Sequence, residues 1–140
     1  MDPDQRPIGW WVKRLDTLLD EAVDAVVAGE KLTRRHWQVL HSLAEGPVRE
    51  PALHAGLGDF GSPGDLAVVV ADLIGRGWVV SGHGGVTLTP DSVLAHDRVA
   101  RSVGRVRRHV ADGLSRQEYE RTILVLNRMV ENVERALGRR

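Results

Sequence analysis

The chain has 140 residues and a mass of 15.4 kDa, which suffices for one compact domain but not for two with separate cores. Hydrophobic residues make up 42% and charged residues 27%, a globular composition that excludes extensive disorder. Nineteen basic side chains balance nineteen acidic ones and no cysteine is present, so attraction to nucleic acid must be local, and disulfides and cysteine metal sites are excluded.

Apolar residues recur at spacings of three and four from Ile8 to Val27 and predict an amphipathic helix that ends near Gly29. A second helix is predicted from Thr33, a good N-cap residue, to the break at Gly46. Both helices have a polar face opposite the apolar one, as expected of helices packed on one core.

The middle of the chain predicts a compact unit of short elements. A brief helix through Leu53 is followed by a glycine-rich turn, and the next helix begins at Ser62 with Pro63 in its first position and ends at 75–77. Two short β-branched runs at 78–80 and 86–88 flank a tight turn and predict a hairpin.

The remaining third is predicted to be helical. A long helix over 90–112 has an apolar line that Gly113 ends, and a capping-box sequence at Ser115 opens a last helix. The apolar line of the long helix is Val93, Val99, Val103, Val106 and Val110, and that of the last helix is Ile123, Leu126, Met129 or Val130, Val133 and Leu137.

The helices at the two ends of the chain have apolar faces longer than the small middle unit needs for packing. A chain of this length buries only about two-thirds of its unfolded surface, so a second copy would complete the core. Such a pairing would be isologous, with two-fold symmetry. A monomeric helical bundle with an attached hairpin is the alternative.

Three phrases and the order of elements resemble the MarR family of winged-helix transcription regulators. They are Leu32-Thr33 to Leu43, Leu73-Ile74-Gly75-Arg76-Gly77-Trp78-Val79, and Val86-Thr87-Leu88-Thr89. The resemblance covers residues 8–137. It implies one mainly α domain over 1–140 with a small β-hairpin, in which a winged helix-turn-helix at 32–89 is flanked by dimerisation helices at 8–28 and 90–138. Within it, 48–74 would form the helix-turn-helix, 63–75 the recognition helix and 78–88 the wing.

The resemblance implies a homodimer that controls transcription by binding a pseudo-palindromic operator, with two recognition helices in successive major grooves. A small aromatic ligand would release the DNA. The residues that this assigns to duplex DNA are Arg34, Arg35, Arg49, Ser62, Gly64, Asp65, Val68, Arg76 and His83.

The chemistry of this region departs from that pattern. Between residues 47 and 89 two arginines stand against four carboxylates, whereas phosphates are held largely by Arg and Lys. Asp65, Ala67 and Val68 occupy positions of the usual polar readers, and the wing has no arginine. An aspartate there is repelled by phosphate unless it accepts from a cytosine amino group. The alternative function is therefore a MarR-like ligand-binding or protein-interaction module that has lost sequence-specific DNA binding.

Basic side chains outside residues 47–89 have two possible roles, either contact with phosphates or a place on a solvated helix face. Arg34 and Arg35 lie at a helix start, where backbone donors add to an anion site. The arginines of the long helix suit either role, and they are Arg98, Arg101, Arg105, Arg107 and Arg108.

The resemblance implies a ligand pocket between the dimerisation helices and the winged unit, and the tryptophans are candidates to line it. Trp10, Trp11 and Trp37 with the cation Arg14 would suit an aromatic acid. Trp11 and Trp37 also suit plain core positions, and Trp10, on another face, is the better candidate for a pocket or a dimer contact.

Other motifs predict no further chemistry. The G-x-G-x-x-G match at 56–61 follows a predicted helix rather than a strand, so it indicates a turn and no cofactor. The six histidines lack zinc-type spacing, and no nucleophile motif or catalytic carboxylate pair is present, so we expect neither a metal site nor an enzyme. The first residues lack a signal-peptide pattern and no apolar run approaches about 18 residues, so we expect a cytoplasmic protein away from membranes.

Overall fold

The structure, a computed structural model, describes residues 5–58 and 62–139. In this part of the chain six α-helices and one antiparallel hairpin follow in the predicted order, so the mainly α winged-helix class is confirmed. The elements are α1 (Ile8–Val27), α2 (Arg34–Ser42), α3 (Glu50–Leu57), α4 (Pro63–Gly75), β1 (Val79–Gly82), β2 (Gly85–Leu88), α5 (Pro90–Ala111) and α6 (Arg116–Ala136), with a 3-10 turn at Ala28–Glu30.

Three helices begin with a reciprocal capping box. The hydroxyl of the N-cap residue accepts from the backbone of the third helical residue, whose side chain accepts from the N-cap amide. The pairs are Thr33 with His36 in α2, Ser62 with Asp65 in α4, and Ser115 with Glu118 in α6. The backbone N–H of Ser115 lowers the pKa of the Glu118 carboxyl by bonding its charged form. These caps confirm the predicted helix starts.

The hairpin is longer than predicted and its turn is shorter. Gly82 pairs with Gly85, so only His83 and Gly84 form the turn, and the prediction of a five-residue turn over 81–85 is wrong. At the other end of the middle unit, α3 continues to Leu57 and includes Gly56, which was predicted to lie in a turn. The rest of the G-x-G-x-x-G segment, 59–61, lies outside the described residues.

The turn end of the hairpin is tied to the segment before α3. Val48 and Val86 exchange two backbone hydrogen bonds of 2.9 Å each. Gly85, with φ +112°, faces this bridge, and a Cβ there would lie 2.4 Å from the Val48 carbonyl oxygen. Only glycine allows both the backbone conformation and the close approach.

The chain divides into two compact units, Met1–Val106 and Arg107–Arg140. The core of the first is apolar, and its fully buried side chains include Val27, Val39, Leu40, Leu43, Val70, Leu73, Val79 and Val86. In the second unit, the described part of α6 has no buried residue. The prediction of one domain over 1–140 stays a prediction.

The apolar line of α5 is partly wrong. Val99, Val103 and Val106 are buried as predicted, but Val93 is 45% exposed, and its neighbour Ser92 is buried instead. The Ser92 hydroxyl donates to the Trp78 carbonyl oxygen over 2.7 Å, so burial leaves no polar group unsatisfied.

Candidate nucleic-acid interface

α3 and α4 pack through their apolar sides and leave the opposite side of α4 in solvent. Leu53 and Leu57 of α3 are buried, as are Leu66, Val70 and Leu73 of α4. The exposed side of α4 presents Gly64, Asp65, Ala67, Val68 and Ala71, and Val68 is 70% exposed. This geometry leaves one helix face free to enter a groove, beside a hairpin at the next position in the chain.

The start of α4 is occupied by its own capping box. The Ser62 N–H donates to Asp65 Oδ2 over 3.3 Å, and the Asp65 N–H donates to Ser62 Oγ over 3.1 Å. Asp65 thus stabilises the helix because its negative charge lies at the positive end of the helix dipole. Two residues predicted to contact DNA therefore contact each other, and they place a carboxylate where phosphate would approach.

Arg49 and His83 both lie near the turn end of the hairpin. Arg49 is the exposed N-cap residue of α3 and directly follows Val48, which pairs with Val86 of β2, one residue beyond the pair that flanks the turn. His83 is exposed in the two-residue turn at the hairpin tip. Both side chains are exposed and can donate hydrogen bonds.

Arg34 and Arg35, predicted to bind phosphate, are held by the acidic side of α1. Arg34 Nη1 lies 2.8 Å from Asp20 Oδ1 and 3.1 Å from Asp16 Oδ1, and Arg35 Nη2 lies 3.5 Å from Asp20. Burial lowers the pKa of Arg34, but its hydrogen bonds to Asp20 and Asp16 outweigh burial and leave that pKa raised.

The backbone at the start of α2 is engaged in the same way. The Arg34 N–H donates to Asp24 Oδ1 over 2.5 Å. With Asp16 and Asp20, Asp24 forms an acidic ridge on α1 with a spacing of one helical turn. This ridge supplies to the helix start the negative charge that a phosphate would otherwise bring.

Arg76 ties the end of α4 to the turn after α1. Its guanidinium donates to the carbonyl oxygens of Lys31 and Glu30 over 3.0 and 2.9 Å, and to Asp72 over 3.1 Å. His36 Nε2 lies 2.8 Å from the same Asp72 carboxylate. Arg76 therefore has a structural role in addition to the DNA contact predicted for it.

The bonds that His36 and Arg76 make to Asp72 should stabilise the folded protein less in acid. The hydrogen bond from His36, and next that from Arg76, hold the pKa of Asp72 below its usual value. A lowered pKa stabilises the folded state above the usual carboxyl range of about pH 4, and this contribution is lost as pH falls through the folded-state pKa. Asp72→Asn should therefore lower the urea midpoint at pH 7 and lower it by less at pH 3. Asp112→Asn, at the exposed end of α5, is the control, and an equal loss at both pH values would contradict the account.

The predicted pocket residues separate into two environments. Trp10 and Trp11 are exposed on α1 and pack edge to face with ring centroids 4.7 Å apart. The cation over Trp10 is Arg6, with Cζ 3.9 Å from the ring centroid, and Arg14 is exposed in the next turn of α1. Trp37 is buried in α2, so in the described part of the chain the three indole rings do not form one cluster.

Trp37 lies in a cluster that sequence analysis missed. The rings of His41 and buried His96 lie 5.0 and 5.1 Å from the Trp37 ring, and His41 Nδ1 lies 3.4 Å from His96 Nε2. His96 Nδ1 lies 3.2 Å from Asp97 Oδ1. The signal was present in part, because Trp37 and His41 share a helix face, but only the fold brings α5 to them. No group of three or more potential ligands among the described residues could hold a metal ion.

Large apolar side chains are exposed along two helices. On α1 they are Ile8, Trp10, Trp11, Val12, Leu15 and Leu18, and on α6 they are Tyr119, Ile123, Leu124, Val125, Met129, Val130 and Val133, with Leu137 as its C-cap. Exposed apolar side chains in such number on one helix are typical of helices that pack against a partner. No helix in the described part of the chain has the length and apolar character needed to cross a bilayer.

Two packed helices with one exposed face and an adjoining hairpin define a winged helix-turn-helix protein. Comparison with solved structures shows which winged-helix fold this is. The chain has the fold of MarR-family transcriptional regulators. A Mycobacterium tuberculosis MarR-family protein in complex with DNA is 20% identical, with a TM-score of 0.71 over 89% of this chain and 98% of that one.

Two further structures show the same fold. The reduced form of MarR from E. coli is 18% identical, with a TM-score of 0.73 over 89% of this chain and 93% of that one. The M. tuberculosis protein in complex with salicylic acid is 19% identical, with a TM-score of 0.70 over 90% of this chain and 98% of that one. No protein-family model matches the sequence, and no curated protein matches it either.

Proposed function

We propose that this protein is a transcription regulator that binds a pseudo-palindromic operator as a homodimer and is released by a small aromatic ligand. The observation that carries the proposal is the exposed face of α4 in a fold shared, over nearly the whole of both chains, with a protein solved in complex with DNA. Such a regulator acts in the cytoplasm, where its operator is.

The exposed apolar surface of α1 and α6 supports the homodimer. Burying one side chain the size of Val, Leu or Ile contributes about 1.5–3 kcal/mol, so a self-complementary contact of several such residues is strongly favourable. Two copies related by a two-fold axis would present two α4 helices to one duplex. This matches the symmetry of a pseudo-palindrome.

Contacts with DNA are expected mainly from Arg49, His83 and the exposed side of α4. Because Arg34, Arg35 and Arg76 already bond to carboxylates or carbonyls of the chain, we propose that they contribute less to phosphate binding than Arg49 does. Ser62 and Gly64 lie at the start of α4, where backbone N–H groups approach a phosphate most closely.

A salt titration tests the proposal. Binding of the full chain to a fluorescent duplex of random sequence should weaken steeply as salt rises, because each neutralised phosphate releases a condensed counterion. The logarithm of the association constant should fall linearly with the logarithm of salt concentration. Absence of binding at the lowest salt would overturn the proposal.

Arg49 should account for one of the phosphate contacts. Arg49→Ala is expected to reduce the slope of that plot by about one and to weaken binding to all sequences alike. Arg128→Ala, an exposed arginine of α6, is the control and should leave the slope unchanged. Equal slopes for wild type and Arg49→Ala would contradict the assignment.

A small aromatic acid is the proposed effector. The exposed indoles of Trp10 and Trp11 supply apolar surface beside the cations Arg6 and Arg14, and a structural neighbour was solved with salicylic acid. Titration with salicylate should quench tryptophan fluorescence and weaken duplex binding. Trp10→Leu should abolish the part of the quenching that saturates.

The second candidate function is a MarR-like ligand-binding or protein-interaction module without sequence-specific DNA binding. The exposed carboxylate of Asp65 and the exposed valine Val68 on α4 favour it, because neither attracts phosphate. The salt titration distinguishes the two functions, since this module would show no duplex affinity at low salt.

A further inference from the structure

The exposed face of α4 has a restricted chemistry. Apart from Ser62, no side chain from 62 to 71 carries a hydrogen-bond donor. Ala67, Val68 and Ala71 share the outward side at spacings of three and four residues, and Val68 projects furthest, with 70% of its surface exposed. The carboxylate of Asp65 lies one turn before Val68.

These groups match one part of the major-groove pattern. Both purines present the acceptor N7 in the major groove, guanine beside the acceptor O6 and adenine beside an amino group, and pairing with N7 requires a donor that this face of α4 lacks. The thymine C5-methyl is the apolar group of the major groove, and the cytosine N4 amino group donates without an adjoining acceptor on the same base. An apolar side chain beside a carboxylate therefore suits pyrimidines.

We propose that α4 recognises pyrimidines in its operator, with Val68 contacting a thymine methyl and Asp65 Oδ1 accepting from a cytosine N4 amino group. This inference rests on the proposed function, because it needs α4 to lie in the major groove. The capping bond uses Asp65 Oδ2, and a carboxylate has acceptor positions on both oxygens, so capping and base recognition are compatible. The small side chains of Ala67 and Ala71 let the helix approach the groove floor.

Asp65 and Val68 are expected to affect the choice between base sequences more than the overall affinity for DNA. A carboxylate that meets a base without an amino group stays unpaired near phosphates, which penalises the wrong sequence. A methyl contact adds affinity only where thymine is present. The operator half-site should therefore be rich in C and T on one strand, at the positions that α4 faces.

The operator sequence is first sought by selecting, at low salt, the duplexes of a random library that bind the full chain. Half-sites enriched in C and T on one strand are expected. The best selected duplex is then compared with the same duplex in which uracil replaces thymine, which removes only the methyl groups. Each methyl that the protein contacts should be worth about four-fold in affinity.

Val68→Ala should remove most of the thymine-to-uracil difference, and Val68→Thr, which keeps one methyl group, should retain part of it. Leu94→Ala is the matched control, because Leu94 is also 70% exposed but lies on α5, and it should keep the full difference. Equal thymine-to-uracil ratios in wild type and Val68→Ala would overturn the role of Val68.

Asp65→Asn tests the cytosine contact. The asparagine oxygen can keep the capping bond, while its amide group is a donor that disfavours the cytosine amino group. The preference for cytosine over other bases at one half-site position should fall by about five-fold or more. An unchanged preference would overturn the role of Asp65.

Failure of pyrimidine recognition can be told apart from failure of DNA binding itself. Salt-dependent binding with equal affinity for thymine and uracil duplexes, or half-sites without a C and T preference, overturns the pyrimidine recognition and leaves the DNA-binding function standing. Absence of any duplex binding at low salt overturns both.

Discussion

Gly85→Ala should destabilise the protein by at least about 2 kcal/mol in the free energy of unfolding and should displace the turn end of the hairpin from the segment before α3. The new Cβ would meet the Val48 carbonyl oxygen at 2.4 Å, and the backbone angle φ of +112° is one that side chains rarely adopt. Relief of the clash requires breaking the Val48 to Val86 bridge, so duplex binding should weaken as well. Urea unfolding followed by circular dichroism measures the loss.

The adjacent glycine provides the control for this substitution. A Cβ at Gly84 would lie 3.5 Å from Pro47 Cβ, which is ordinary van der Waals contact. Gly84→Ala should therefore change the unfolding free energy by less than about 0.5 kcal/mol. Equal stabilities for the two variants would show that Gly85 does not approach Val48 as described.

The double variant Ile123→Glu with Val130→Glu should abolish dimerisation. These side chains are 51% and 53% exposed, lie on one apolar side of α6, and are proposed to meet the second copy. Burying a charge without a partner costs several kcal/mol, so light scattering should give the variant a molar mass of 15.4 kDa, that of one chain. Its affinity for an operator duplex should fall by about 100-fold or more, because the two winged units lose their linkage.

Two charges on the opposite side of α6 control for the change in net charge. Gln117→Glu with Asn132→Glu adds the same negative charge, and a glutamate at 132 can still accept from Arg135, as Asn132 does over 2.6 Å. This variant should remain a dimer. A dimer of wild-type affinity for Ile123→Glu with Val130→Glu would show that α6 does not form the contact.

Local chemistry made the helix starts predictable. Thr33, Ser62 and Ser115 cap their helices as predicted, because a cap needs only the residues of the next turn. The hairpin and the order of elements were also predictable from short patterns. The hairpin turn was placed wrongly because Gly82 and Gly85 were assigned to the turn, whereas the strand register pairs them.

Tertiary contacts explain what the sequence did not reveal. Val93 was predicted to be buried on α5, but Ser92 is buried instead. Ser92 can be buried because its hydroxyl donates to the carbonyl oxygen of Trp78, a residue distant in sequence, and this bond cannot be read from the pattern of α5 alone. The contacts of Arg34 with Asp16 and Asp20 depend on how α1 lies against α2, which periodicity does not specify. For the same reason, a list of basic residues overestimates the cations that can reach a phosphate.

Sedimentation equilibrium of the wild-type chain, alone and with a duplex of random sequence, tests most directly whether two joined copies bind one duplex. At micromolar concentration and low salt the free protein should have twice the 15.4 kDa of one chain, and its complex should contain two chains per duplex. A free particle of 15.4 kDa that binds singly, or not at all, would contradict the account.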